Sequence, residues 1–97
     1  MRKITQEACR AFENLGEYKK SNTEVRKIND VSSEMYLFGN LIAYSNADGI
    51  FISDGNYPSR TTKERLNGLT GVEIKILDNQ WVLNGKVWNG DWIRIGD

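Results

Sequence analysis

The feature that most constrains this chain is how often turn-forming dipeptides punctuate short apolar runs. Asp48-Gly49, Asn84-Gly85 and Asn89-Gly90 are such pairs, as are Asn29-Asp30, Gly39-Asn40 and Asp78-Asn79. Asn and Asp tolerate left-handed backbone and Gly has no Cβ to clash there, so each pair lets an extended segment reverse within two residues. The runs between them alternate with the period of a half-buried strand, as in Val72-Glu73-Ile74-Lys75-Ile76-Leu77 and Trp92-Ile93-Arg94-Ile95. Val25 and Ile28 mark a short first strand, Met35–Phe38 and Leu41–Tyr44 two more, and Ile50–Ser53 a returning one. Apolar residues on both sides of the pleat from Met35 to Tyr44 predict either strands covered on both faces or a tight turn at Gly39-Asn40 between two short strands. A two-residue turn at Asn84-Gly85 sets Val82 opposite Val87 and Trp81 opposite Trp88, a kind of cross-strand pairing that adds about 0.2–1 kcal/mol.

Two segments break the period of two. Ile4, Ala8, Ala11, Phe12 and Leu15 recur at steps of three and four, which places them on one face of a helix over about residues 3–15. Thr5 is the expected cap and Gly16 the expected left-handed terminator. Gly16–Thr23 reads as a polar connection. Residues 54–60 form the longest loop and hold the only proline, Pro58. Thr61-Thr62-Lys63-Glu64 then fits a capping box for a shorter helix, which Asn67-Gly68 ends. The fold class is α+β: an N-terminal helix, an antiparallel β-meander, a short second helix and a C-terminal β-hairpin or meander, with the helices against one face. Ninety-seven residues make one domain, 1–97.

Composition removes several kinds of chemistry. There is no histidine and one cysteine, Cys9. A structural zinc site, a Ser-His-Asp triad and a Cys-His dyad therefore cannot be built within one chain. A lone Cys9 beside the apolar stripe is a packing residue, and its lack of a disulfide partner fits a cytosolic compartment. The longest nearly apolar run, Met35–Ala43, falls far short of the roughly 20 residues of a membrane span. The start, Met1-Arg2-Lys3-Ile4, leads into polar residues rather than a secretory apolar stretch. Asp48, Asp54, Asp78 and Asp91 all stand in turn contexts, where the carboxylate bonds local backbone. No catalytic residue, metal ligand or cofactor site is assigned, and the chain is expected not to be an enzyme.

Three blocks carry a family resemblance. Leu37-Phe38-Gly39-Asn40-Leu41-Ile42-Ala43 is the first, and Gly55-Asn56-Tyr57-Pro58-Ser59-Arg60-Thr61-Thr62-Lys63-Glu64-Arg65-Leu66-Asn67 the second. Trp81-Val82-Leu83-Asn84-Gly85 with Trp88-Asn89-Gly90-Asp91-Trp92 is the third. In order and approximate spacing the chain resembles a family of small proteins of tailed bacteriophages and prophages, from Leu37 to Trp92. Tyr57 stands where Trp is frequent, and the N-terminal helix matches loosely. The resemblance implies a phage source and a kindred fold, not a reaction. Many small phage accessory proteins act by binding host or defence components, so by analogy the expected role is non-catalytic binding in the cytoplasm of the bacterial host.

The candidate binding residues are Asn56, Tyr57, Arg60, Thr62, Lys63 and Arg65 of the loop and helix, with Trp88 and Trp92 as neighbouring aromatics. A helix start flanked by Arg60, Lys63 and Arg65 suits an anion, and an exposed tryptophan with basic neighbours can stack a nucleic-acid base or anchor a protein interface. A protein partner is expected first and a nucleic acid second. Thirteen Lys and Arg against thirteen Asp and Glu give no net charge, whereas phosphate binding draws most of its affinity from a basic excess. Residues 1–27 alone lean basic, with seven positive groups against four negative. Self-association through an outermost strand such as 92–95 is a further expectation.

Overall fold

A computed structural model describes residues 1–96 of the chain. The tight bends lie at the turn dipeptides or within one residue of them. Asn84 and Gly85 have φ of 49° and 89°, and Asp78 and Asn79 have 52° and 64°. Two consecutive positive φ values are the signature of the type I′ hairpin turn. The bend expected at Gly39-Asn40 falls one residue earlier: Phe38 and Gly39 are the positive-φ pair, at 52° and 80°, and Leu37 faces Asn40 across the ladder.

These turns generate nine strands: β1 (Tyr18–Lys20), β2 (Thr23–Asn29), β3 (Ser32–Leu37), β4 (Asn40–Asn46), β5 (Gly49–Ile52), β6 (Ile74–Leu77), β7 (Gln80–Leu83), β8 (Lys86–Val87) and β9 (Ile93–Ile95). The helices are α1 (Lys3–Glu13), before β1, and α2 (Arg60–Leu66), between β5 and β6. The α+β class holds. One sheet has six strands in the order β1-β2-β3-β4-β5-β9, the other three in the order β6-β7-β8, and every pairing is antiparallel. The Val82–Val87 register across Asn84-Gly85 is as expected. Trp81 and Trp88 pack with ring centroids 5.9 Å apart.

Four expectations need correction. The polar stretch after α1 contains β1, because Tyr18–Lys20 finds a partner in Thr23–Val25. The last strand leaves the C-terminal meander: Ile93–Ile95 pairs with Ile50–Ile52 of β5, burying Ile95. Gly16 does not end α1 in the left-handed region; Leu15 does, at φ 57°. Thr5 does not cap α1, since Arg2 is the N-cap and uses no side chain. Thr5 is buried inside the helix instead.

The core is a single cluster of buried residues drawn from both sheets and both helices, among them Phe12, Val25, Met35, Ile42, Ile52, Leu66, Ile74, Leu83 and Trp88. α1 lies against β1, β2 and β3 and meets α2, which contacts β4. Gly68 makes the close approach of α1 possible. A Cβ there would stand 2.6 Å from the Thr5 methyl and 2.7 Å from the Cys9 sulfur. The helices sit on the inner face of the large sheet. Its outer face, bearing Glu34, Tyr36, Tyr44, Phe51 and Arg94, stays half-exposed or exposed.

Candidate binding surface

The loop after β5 is stiffened by its own side chains. Ser53 Oγ accepts from the Gly55 amide at 2.9 Å, and Asp54 Oδ1 from the Asn56 amide at 2.8 Å. Such short-range bonds are what Asp and Ser bring to turns. They hold Asn56 at φ 64° and leave Tyr57 57% exposed. The helix that follows is capped by Ser59, not by a Thr61–Glu64 box. Ser59 Oγ accepts from the Thr62 amide at 3.1 Å, and the Ser59 carbonyl from the Lys63 amide at 3.0 Å. The Thr62 and Lys63 amides are thereby taken. Thr62, a candidate contact residue, is buried, with its hydroxyl donating to the Tyr57 carbonyl at 3.0 Å.

Glu64, freed from capping, belongs to a network that holds Arg65 inside the molecule. Arg65 Nε donates to Thr23 Oγ1 at 3.0 Å, and Nη1 to Thr5 Oγ1 at 2.8 Å and to Glu64. Nη2 reaches Asn22 Oδ1 at 3.3 Å. Thr23 passes its own proton to Asn22 and Thr5 its own to Glu64, so each hydroxyl is both acceptor and donor. Arg65 is fully buried, and no buried side-chain polar atom among the described residues lacks a partner. A guanidinium enclosed in this way joins α1, α2 and the β1–β2 turn, and its placement is structural. Arg60 is exposed and Lys63 half-exposed, so two of the three basic candidates remain at the surface.

The two candidate tryptophans separate. Trp88 is buried and its indole N–H donates to the Asp91 carbonyl at 2.9 Å. Trp92 is 45% exposed and leans on Tyr44, with centroids 5.0 Å apart and planes 58° apart. Tyr44 in turn stacks on Phe51 at 4.8 Å and 16°. Each such aromatic contact contributes about 0.5–1.5 kcal/mol beyond the area it buries. The row follows from register: Glu34 faces Tyr44, Tyr44 faces Phe51 and Phe51 faces Arg94 across neighbouring strands. Residues directly opposite in a sheet share one face.

Trp92 and Asn56 meet at a cleft of about 320 Å³, also lined by Asn40, Asp54, Gly90 and Asp91. It exists because two chain segments touch here, with the Asp54 amide donating to the Gly90 carbonyl at 2.9 Å. Only glycine permits the approach, since a Cβ at residue 90 would fall 2.0 Å from Asp54 Oδ2. The structure thus joins the loop with Trp92, while Arg60, Lys63 and Tyr57 lie outside the cleft lining.

Charges on the outer face are largely spent on one another. Arg26 Nε bonds Glu24 at 3.0 Å, a hydrogen bond that lowers the Glu24 carboxyl below its usual range. The Arg26 guanidinium lies 4.6 Å over the Tyr36 ring. The Tyr36 hydroxyl donates to Glu34 at 2.6 Å, and that bond raises its pKa. The surface is therefore aromatic with internally paired charges. Sequence reasoning passed over Tyr36, Tyr44 and Phe51, since apolar residues on both sides of the pleat do not say which face stays bare. The signal was present in one form: these aromatics alternate with Met35, Ala43 and Ile52, the residues that are buried.

Comparison with known families places the chain. Residues 1–94 match the model of the Kyanoviridae Gp96 protein family. The chain belongs to this phage protein family. The match reaches through α1, beyond the Leu37–Trp92 span of the resemblance noted above. No curated protein and no solved structure matches the chain. No described helix is long and apolar enough to cross a membrane, and the described residues hold no group of three or more side chains that could hold a metal ion.

Proposed function

We propose that this member of the family is a non-catalytic accessory protein that acts in the cytoplasm of the bacterial host by binding a host or defence-system protein. The partner sits on the outer face of the large sheet, with Trp92, Tyr44 and Phe51 as anchors and Asn56 at the edge. The observation that carries this reading is the uncovered aromatic row itself. An unpaired apolar surface beside a polar rim marks interaction sites, and Trp and Tyr supply most of the energy where proteins meet. The nucleic-acid alternative loses support, because Arg65 is enclosed and Arg26 is engaged by Glu24, while Arg60 and Lys63 alone offer little phosphate neutralisation.

The test is capture from phage-infected cells with wild-type protein, Trp92→Ala and the doublet Arg60→Ala/Lys63→Ala, each first shown to melt cooperatively. The expected result is a host protein retained by wild type and by the doublet, and lost by Trp92→Ala. Loss through the doublet with a steep salt dependence would assign the surface to nucleic acid and end the reading.

A further inference from the structure

We propose that the cleft between the free edges of β8 and β9 is a second binding site, which takes an extended peptide segment carrying an acidic residue between two apolar ones. It lies at the sheet edges and shares only Arg94 with the outer aromatic face. β8 closes the small sheet and β9 the large one, so each presents an outer edge without a neighbouring strand among the described residues. Amides and carbonyls on such edges accept an added strand, a recurring mode of peptide recognition in which main-chain bonds give affinity and alternate side chains give specificity.

The cleft has a volume of about 360 Å³ and is lined by Leu83, Val87, Trp88, Ile93 and Ile95 among others. Its lips are apolar and open to solvent: Val87 is 67% exposed and Ile93 41%. Among the described residues the charged ones in its lining are Lys86 and Arg94, and no described carboxylate lines it. Alternation along β9 then dictates the ligand. Ile93 and Ile95 share one side of the strand and Arg94 the other, where it faces Phe51. A strand added beside β9 keeps that alternation. Its residues next to Ile93 and Ile95 turn inward against Val87 and Trp88 and are apolar; the one next to Arg94 turns outward and is acidic.

A second copy of the chain is the poorer occupant. Two-fold antiparallel pairing of β9 about its centre sets Arg94 opposite Arg94, and like charges directly opposed are destabilising. Lys86 would add a second positive charge on each side of the same seam.

The experiment titrates the isotope-labelled full chain with three blocked pentapeptides: Thr-Val-Glu-Val-Thr, its central-Lys counterpart, and the Glu peptide N-methylated on its three central amides. The expected result is saturable NMR shifts confined to residues 86–88 and 93–96, about five- to tenfold weaker binding of the Lys peptide, and no binding of the N-methylated one. Because Arg94 also donates to the Asp48 carbonyl at 2.8 Å, the charge variant is the exposed Lys86→Glu, in which the preference for Glu over Lys narrows about threefold or more. Absence of saturable shifts overturns the proposal, as do shifts elsewhere, equal affinity for the Glu and Lys peptides, or binding of the N-methylated peptide. Concentration-dependent dimerisation of the protein alone, with the shifts falling on β9, would give the cleft to a second copy and also overturn it.

Discussion

Replacing Arg65 by Met keeps the length of the aliphatic stem and removes the guanidinium from a fully enclosed position. Thr5 and Thr23 each lose a donor at 2.8 and 3.0 Å, a cost of about 1 kcal/mol apiece for neutral acceptors. Loss of the charge-assisted contact with Glu64 adds about 1.5–3 kcal/mol. The total falls in the range of about 3–5 kcal/mol typical of breaking one side of a buried ion pair. The Glu64 side chain is 27% exposed and can turn toward water, which places the expectation at the lower end, about 3 kcal/mol. For a domain of 60–100 residues this corresponds to a melting point lower by about 12–24 °C. Urea denaturation of wild type and Arg65→Met, with the exposed Arg60→Met as control, measures it directly. Arg60→Met is expected within about 0.5 kcal/mol of wild type. An Arg65→Met midpoint no different from that of the control would refute the idea that this side chain clamps the helices to the β1–β2 turn.

Two further predictions concern the second helix and the thiol beneath it. Ser59→Ala should destabilise by about 0.5–2 kcal/mol through loss of the cap, and Thr61→Ala by less than about 0.5 kcal/mol; equal effects in thermal melts would return the cap to Thr61. The Cys9 thiol donates to the Arg65 carbonyl at 3.3 Å, and burial, reinforced by Glu13 and Glu64, pushes its pKa from 9.0 up to about 12. The folded chain therefore keeps a proton that the unfolded chain releases, and the stability tied to Cys9 is complete below pH 9 and lost as pH rises toward 12. Between pH 8 and about 10.5 the advantage of wild type over Cys9→Ala should shrink by about 2 kcal/mol. Parallel pH profiles for the two proteins would show that the thiol is not held protonated by the fold.

What could be read from residues was whatever short-range chemistry decides. Asn84 and Gly85 adopt positive φ in any hairpin that must reverse in two residues, so the Val82–Val87 register and the Trp81–Trp88 contact followed from spacing. The steps of three and four from Ile4 to Leu15 placed the first helix, two residues too long at its end, because Leu15 and not Gly16 takes the left-handed turn. The second helix was placed correctly and capped wrongly. Ser59 and Thr61 are equally good caps by composition, and the choice falls to Ser59 because the Glu64 carboxylate is claimed by its neighbour Arg65 and, from 59 positions away, by Thr5.

The candidate site was legible only in part, for the same reason. Asn56, Tyr57 and Trp92 emerge at the surface, whereas Thr62, Arg65 and Trp88 are enclosed. Glu64 beside it accepts one of its protons, but the burial depends on Thr5 and Thr23, acceptors that stand 60 and 42 positions away.

By itself, then, the order of residues determined most of the strands and tight turns, the two helices and the absence of histidine chemistry, all set by steric preference and side-chain inventory within a few residues. Only the tertiary structure decided that β9 crosses to β5, that the outer face of the large sheet is left bare, and that one tryptophan is hidden while another is shown. Those outcomes depend on which surface covers which, and burial is a property of surfaces brought together, not of residues taken in sequence.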